Sequence, residues 1–142
     1  MRPKRYFTQW AAQFYVAAEL TRRGYLVSLT LGMAPKADLL VVSPSGKHFM
    51  VDVKGLSSPN WWIIGEHGLE LHEDLYFILV YIPKDPEQSP RFFAMTSYDV
   101  KTEIEKHLDE LRAREREITN LEYGFYWKVA FKYENRWDKL PT

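Results

Sequence analysis

The sequence predicts an α/β protein in which helices cover a mixed β-sheet. Residues 8–23 show the spacing of apolar side chains typical of a helix, and 25–54 contain three β-rich runs divided by turn residues. Two further strands and a second amphipathic helix follow. A run of strands enclosed by helices favours an α/β sandwich around a mixed sheet.

The first helix is predicted to begin after Thr8 as N-cap and to end at Gly24. Its face through Trp10, Phe14 and Ala18 is strongly apolar, so we expect that face to be buried. Glu19 interrupts the apolar run, and two interpretations are equally open for it. It forms an (i, i+4) ion pair with Arg23, or it contributes to a metal site.

A strand is predicted at 25–31, and two more strands are predicted on either side of the turn 44–46. The functional prediction depends on the hairpin that these last two strands form. Pro-Ser-Gly at 44–46 is a three-residue hairpin turn that places Ser43 opposite Lys47. Counting outward, Asp38 lies opposite Asp52. Cross-strand partners have Cβ atoms roughly 4.5–5.5 Å apart, which is close enough for two carboxylates to share one divalent cation.

Lys54 lies on the same face as Asp52, because side chains alternate along a strand. The strand 39–42 is apolar on both faces and therefore predicted to lie inside the sheet, where two like charges need a cation or a proton. In the alternative interpretation, Asp38 ends a strand in water and Asp52-Val53-Lys54 is ordinary surface alternation.

A loop at 55–60 follows this cluster, and then a bulky strand at 61–64. At most one of its two adjacent tryptophans is expected in the core on a given face, and the other stacks on a base or simply packs. We predict substrate contacts at Lys36, Ser57 and Trp61. His67 and His72 match no standard metal-ligand spacing and are both interpreted as surface residues.

The second half is predicted to contain strands at 76–82 and 91–95 and a helix that starts with a capping box at Thr96–Asp99. The apolar stripe of this helix comprises Val100, Ile104, Leu108, Leu111 and Ile118. The aromatic-rich segment 119–142 is expected to dock on the domain or on a partner subunit.

Length and composition set limits on function. We expect 142 residues to form one domain, 1–142, with its core at about 8–118. The formal net charge is zero, which argues against broad electrostatic capture of DNA, and the absence of cysteine excludes thiolate zinc sites. No stretch is apolar enough to span a bilayer or to serve as a signal peptide, so no membrane partner and a cytoplasmic location are expected.

These residues resemble the PD-(D/E)xK nuclease superfamily, whose fold is the restriction-endonuclease-like αβββαβ core. The resemblance covers roughly residues 8–96 and depends on Glu19, Asp38 and Asp52-Val53-Lys54. The run from 16 to 25 is most similar to the branch of Holliday-junction resolvases and homing endonucleases. Two departures are that Pro35 stands three positions before Asp38 and that the second acid is Asp.

The resemblance implies a DNA endonuclease that uses Mg²⁺, for which Mn²⁺ substitutes. It implies metal ligands at Asp38, Asp52, the Val53 carbonyl and Glu19, with Lys54 orienting or activating the attacking water. Cleavage of both strands at once would require a homodimer. The alternatives are a catalytically inactive module of the same fold that binds nucleic acid or a protein partner, and an interaction protein whose acidic pair is merely solvated.

Overall fold

A five-stranded mixed sheet with one α-helix against each face forms the centre of the molecule. The structure, a computed structural model, describes residues 4–35 and 37–142. The α-helices are α1, Lys4–Arg22, and α2, Ser97–Ala113. The strands are β1, Leu26–Leu29; β2, Leu39–Val42; β3, His48–Leu56; β4, Trp61–Ile63; β5, Leu75–Tyr81; β6, Arg91–Thr96; and β7, Gly124–Tyr126. Short 3₁₀ turns occupy Glu66–Leu69, Asn120–Glu122, Trp127–Tyr133 and Trp137–Lys139.

The sheet has the strand order β1-β2-β3-β5-β6, with β3 parallel to β5 and the other neighbours antiparallel. The predicted mixed α/β sheet is therefore confirmed. The predicted αβββαβ order differs in one element, because the described chain has no α-helix between β3 and β5. The short strand β4 and the turn Glu66–Leu69 make that connection instead. Assignment to the restriction-endonuclease-like fold stays a prediction.

The central hairpin has the predicted register. Leu39 pairs with Val51 and Val42 with His48, and the Asp38 N–H donates to the Val51 carbonyl at 2.9 Å. Extending the pairing by one position places Asp38 opposite Asp52. A register shifted by one residue would have turned one of the two aspartates to the opposite side of the sheet.

Two hydrophobic cores lie on opposite faces of the sheet. The core beneath α1 includes Ala12, Val16, Leu20, Leu39, Val41, Val51, Val53, Ile78 and Val80. The core beneath α2 includes Trp62, Phe77, Leu79, Phe93, Met95, Val100, Ile104, Leu108, Phe125 and Tyr133. The C-terminal segment contributes to both cores, so it docks on its own chain.

The predicted orientation of α1 is wrong. Its buried residues are Ala12, Gln13, Val16 and Leu20, whereas Phe14 is 56% exposed and Ala18 is also exposed. The helix approaches β3 closely where Ala12 packs against Gly55, which leaves no room for a large ring at that contact. The bulky aromatic rings of the helix therefore lie on its flank.

The predicted ends of the helices are partly correct. α1 begins at Lys4, so Thr8 is not its N-cap; the Thr8 hydroxyl instead donates to the Lys4 carbonyl within the helix. α2 begins with the predicted capping box between Thr96 and Asp99. It ends at Ala113, before Ile118. Neither described α-helix combines the length and apolarity needed to cross a membrane.

Candidate active site

The site forms where β3 extends beyond the end of β2. Past Asp38, β2 offers no further backbone partner, so the next N–H on that edge of β3 must find another acceptor. The Val53 N–H donates to Asp38 Oδ2 at 2.7 Å. Asp38 thus continues the ladder with its side chain, which fixes its carboxylate beside β3.

A glutamine of α1 satisfies the next backbone groups of β3. Gln9 Nε2 donates to the Val53 carbonyl at 2.7 Å, and Gln9 Oε1 accepts from the Gly55 N–H at 3.0 Å. One helical turn on, Gln13 Nε2 lies 3.4 Å from Asp38 Oδ1. Gln9 and Gln13 therefore connect α1 to the backbone of β3 and to the Asp38 carboxylate.

Asp52 is buried beside this junction, with 4% of the residue exposed. Its Oδ2 is 3.0 Å from His67 Nε2, and its Oδ1 is 3.3 Å from the Lys54 ammonium. The ammonium contributes charge but lies outside hydrogen-bonding geometry, so Oδ1 has no hydrogen-bond partner among residues 4–35 and 37–142. Burial of a carboxylate oxygen that accepts no hydrogen bond is costly, and here only the Lys54 charge offsets that cost.

Electrostatics couple the two aspartates. Burial raises the pKa of Asp38, and the nearby Asp52 carboxylate raises it further. The Val53 N–H and the Lys54 ammonium oppose this shift without cancelling it. The structure therefore brings together three predicted residues, Asp38, Asp52 and Lys54, in a partly dry environment.

The structure does not bring Glu19 to this cluster. Its carboxylate accepts from Arg22 at 2.7 Å and from Arg23 at 3.0 Å, which confirms the predicted ion pair with Arg23. Burial alone would raise the pKa of Glu19, but these arginines lower it. Gln13 and Glu19 are six positions apart, so their side chains point about 120° apart around the helix at about 100° per residue. The residue of α1 that contacts Asp38 is therefore Gln13, and not Glu19 as the resemblance implied.

The predicted substrate contacts have different outcomes. Lys36 lies outside the described residues. Ser57 is partly buried and directly follows β3. Trp62 is the core tryptophan, at 1% exposure, while Trp61 packs its ring 4.6 Å from His107 and donates from Nε1 to the Leu121 carbonyl at 3.0 Å.

Sequence reasoning missed Gln9, Gln13 and His67. The two glutamines carried a usable signal, since they are polar residues four apart on one helix and therefore share a face. His67 carried none, because the turn Glu66–Leu69 alone places its ring beside Asp52 and stacks it at 5.9 Å on Phe77. It was interpreted as a surface residue, but it is an Asp52 partner.

The donor set fits a hard divalent cation. Asp38 and Asp52 offer carboxylate oxygens, one of which is buried and accepts no hydrogen bond. The Val53 carbonyl retains a second lone pair besides that used by Gln9. Across the described chain, no group of three or more His, Asp or Glu side chains has the geometry to bind a metal. Such a cation would therefore depend on two carboxylates, the carbonyl and water.

Comparison of the chain with protein-family models, with curated proteins and with solved structures finds no match in any of the three. The fold and site thus define an α/β protein with an Asp38–Asp52–Lys54 cluster, of which Asp52 is buried, where the central strand β3 extends beyond the end of β2.

Proposed function

We propose that this protein is a metal-dependent endonuclease that hydrolyses phosphodiester bonds in DNA. The observation that carries the proposal is the buried Asp52 carboxylate, which lies opposite Asp38 and has one oxygen that is ion-paired with Lys54 but accepts no hydrogen bond. The restriction-endonuclease resemblance of these three positions gives the proposal its substrate class.

Asp38, Asp52 and the Val53 carbonyl are the residues that would bind Mg²⁺. When bound, the ion would lower the pKa of its water and neutralise charge on the phosphate. The Val53 N–H fixes Asp38, and His67 fixes one oxygen of Asp52, so neither carboxylate has to be ordered on binding. Lys54 supplies a positive charge where the phosphate becomes more negative, and it orients the attacking water.

The test is nicking of supercoiled plasmid, and cleavage of branched and single-stranded DNA, with Mg²⁺ or Mn²⁺. We expect Asp52→Asn and Lys54→Ala each to lower the rate by about 10²–10³-fold, as for loss of an electrostatic group in an active site. Asp109→Asn is the matched control, because that carboxylate is exposed on α2 and pairs only with Arg112 among its described contacts. Unchanged rates in Asp52→Asn and Lys54→Ala would rule out this assignment.

A second candidate is a nuclease-fold module that binds without cutting. Gln9 favours it, because its amide already uses one lone pair of the Val53 carbonyl, and the zero net charge is in line with a noncatalytic role. Calorimetric titration separates the two proposals. No measurable heat with Mg²⁺ or Mn²⁺, in the presence of DNA, would support the module. Homodimerisation, needed for simultaneous cleavage of both strands, stays part of the nuclease proposal.

A further inference from the structure

An exposed aromatic stripe runs along α1 beside the candidate site. It consists of Tyr6, Phe7 and Phe14, which are 41%, 60% and 56% exposed, and of Trp10, which is half-buried. Trp10 lies edge-on to Tyr6 at 6.4 Å and is stacked with Phe14 at 5.8 Å. Single exposed apolar residues are normal on a protein surface, but a continuous row of aromatic rings indicates a binding surface.

The stripe is continuous with the site. Tyr6 and Trp10 line a groove together with Arg5, Gln9 and Gly55. Gln9 and Gly55 are the residues that bind each other beside the Val53 carbonyl. A ligand in this groove would therefore reach the Val53 carbonyl, on the α1 side of β3; the Asp52 and Lys54 side chains lie on the other face of that strand.

The charge around the stripe suits a polyanion. Within Lys4–Arg22 the first turn has no acidic residue, and Lys4 and Arg5 are exposed there. The sole carboxylate of this described helix, Glu19, is paired with Arg22 and Arg23. Because the whole chain has no net positive charge, phosphate contacts alone give little affinity, so a nucleic acid held here needs a second source of binding energy.

We propose that the stripe binds single-stranded DNA by stacking on unpaired bases and holds that strand next to the site. The inference rests on the proposed nuclease function and adds its substrate class, which is DNA with single-stranded segments. Aromatic rings stack on bases of any sequence, but only on bases whose faces are open, and a duplex covers them. The stripe therefore selects unpaired over paired DNA.

The experiment measures the binding of a labelled single strand, and of the same strand in a duplex, by fluorescence anisotropy with EDTA present, so that no cleavage occurs. We expect Trp10→Ala and Phe14→Ala each to raise the single-strand Kd on the order of tenfold, the size of one lost stacking contact. Trp10→Phe keeps a ring and is expected to retain most of the affinity, which separates stacking from a folding defect. Tyr98→Ala, which removes an aromatic ring 67% exposed on α2, is expected to leave the Kd unchanged.

Equal single-strand affinity in the wild type, Trp10→Ala and Phe14→Ala would overturn the inference. A second result would also overturn it: sedimentation shows a dimer that these substitutions dissociate, while DNA binding is unchanged. The stripe would then be a contact with a second copy of the chain. If single-stranded DNA binding depends on Trp10 and Phe14 but no metal supports cleavage, the nuclease proposal is wrong and the stripe proposal stands. If the protein cleaves DNA with metal but binds single strands equally well without Trp10 or Phe14, the stripe proposal is wrong and the nuclease proposal stands.

Discussion

Glu103 is a buried carboxylate that connects α2 to the C-terminal segment. It is 4% exposed, and its Oε2 accepts from the Tyr133 hydroxyl at 2.5 Å and lies 2.7 Å from the Lys132 ammonium. Lys106 approaches Oε1 at 3.5 Å. A charge buried in this way is tolerated only because several donors satisfy it. Burial alone would raise the pKa of Glu103, but the bonds from Lys132 and Tyr133 lower it below the ordinary value of 4.5.

The lowered pKa of Glu103 predicts loss of stability in acid. A carboxyl group with a depressed native pKa stabilises the fold fully above its unfolded pKa, and this contribution is lost as the pH falls through the native pKa. In urea unfolding against pH, we expect wild type to be more stable than Glu103→Gln at neutral pH. The difference should shrink as the pH falls below 4.5. Glu110→Gln, exposed on the same helix, is the control. A difference that is independent of pH would contradict the prediction.

Glu19 provides a test of the resemblance at the level of one residue. Its carboxylate is engaged with Arg22 and Arg23 on another flank of α1 from Gln9 and Gln13. We therefore expect Glu19→Gln to cleave DNA at the wild-type rate, measured in the plasmid assay at saturating Mg²⁺. A loss as large as that of Asp52→Asn would show instead that Glu19 moves to the metal when substrate binds.

At the scale of elements, the contact between α1 and β3 is limited by Gly55. A Cβ at this position would lie 2.9 Å from both the Ala12 Cβ and the Thr8 carbonyl oxygen. Only a glycine allows the helix to approach closely enough for Gln9 to reach the backbone of β3. The same closeness places Gln13 beside Asp38.

We predict that Gly55→Ala pushes α1 away from β3 and lowers the free energy of unfolding by about 1–3 kcal/mol, the usual cost of overpacking. Ser28→Ala, at an exposed position of β1, is the control and is expected to change stability little. Chemical denaturation measures both. If Gly55→Ala unfolds at the wild-type midpoint, the close approach does not limit the packing of α1.

At the scale of the whole molecule, the C-terminal segment completes the core beneath α2. β7 pairs with β4, which buries Phe125 against that core. Further along, Glu134 forms two hydrogen bonds of 2.8 Å with Arg91 of β6. The segment is therefore an integral part of the fold.

Phe125→Ala is predicted to lower the free energy of unfolding by about 3–5 kcal/mol, because it leaves a cavity in this core. The neighbouring Tyr126, 47% exposed on the same strand, is the matched control. Tyr126→Ala is expected to cost less than about 1 kcal/mol. Similar losses in both variants, measured by urea unfolding, would show that strand pairing dominates over burial.

Local patterns determined several features that the structure confirms. The Pro-Ser-Gly turn and the alternation of strands set the hairpin register that places Asp38 opposite Asp52, since a two-residue period tolerates no shift of one. The capping box at Thr96 and Asp99 fixed the start of α2 in the same way. Each of these features depends on residues close together in the sequence.

Only the tertiary structure decided which flank of α1 faces the sheet and what lies beside Asp52. Apolar periodicity favoured the face of Trp10 and Phe14, but the close approach at Gly55 admits small side chains and Gln13 there. That orientation leaves Phe7 and Phe14 of the aromatic stripe exposed. His67 reached Asp52 through a turn. The sequence by itself determined the two aspartates and the lysine, and packing between distant segments determined their neighbours, because helix rotation and loop placement depend on contacts that no local pattern contains.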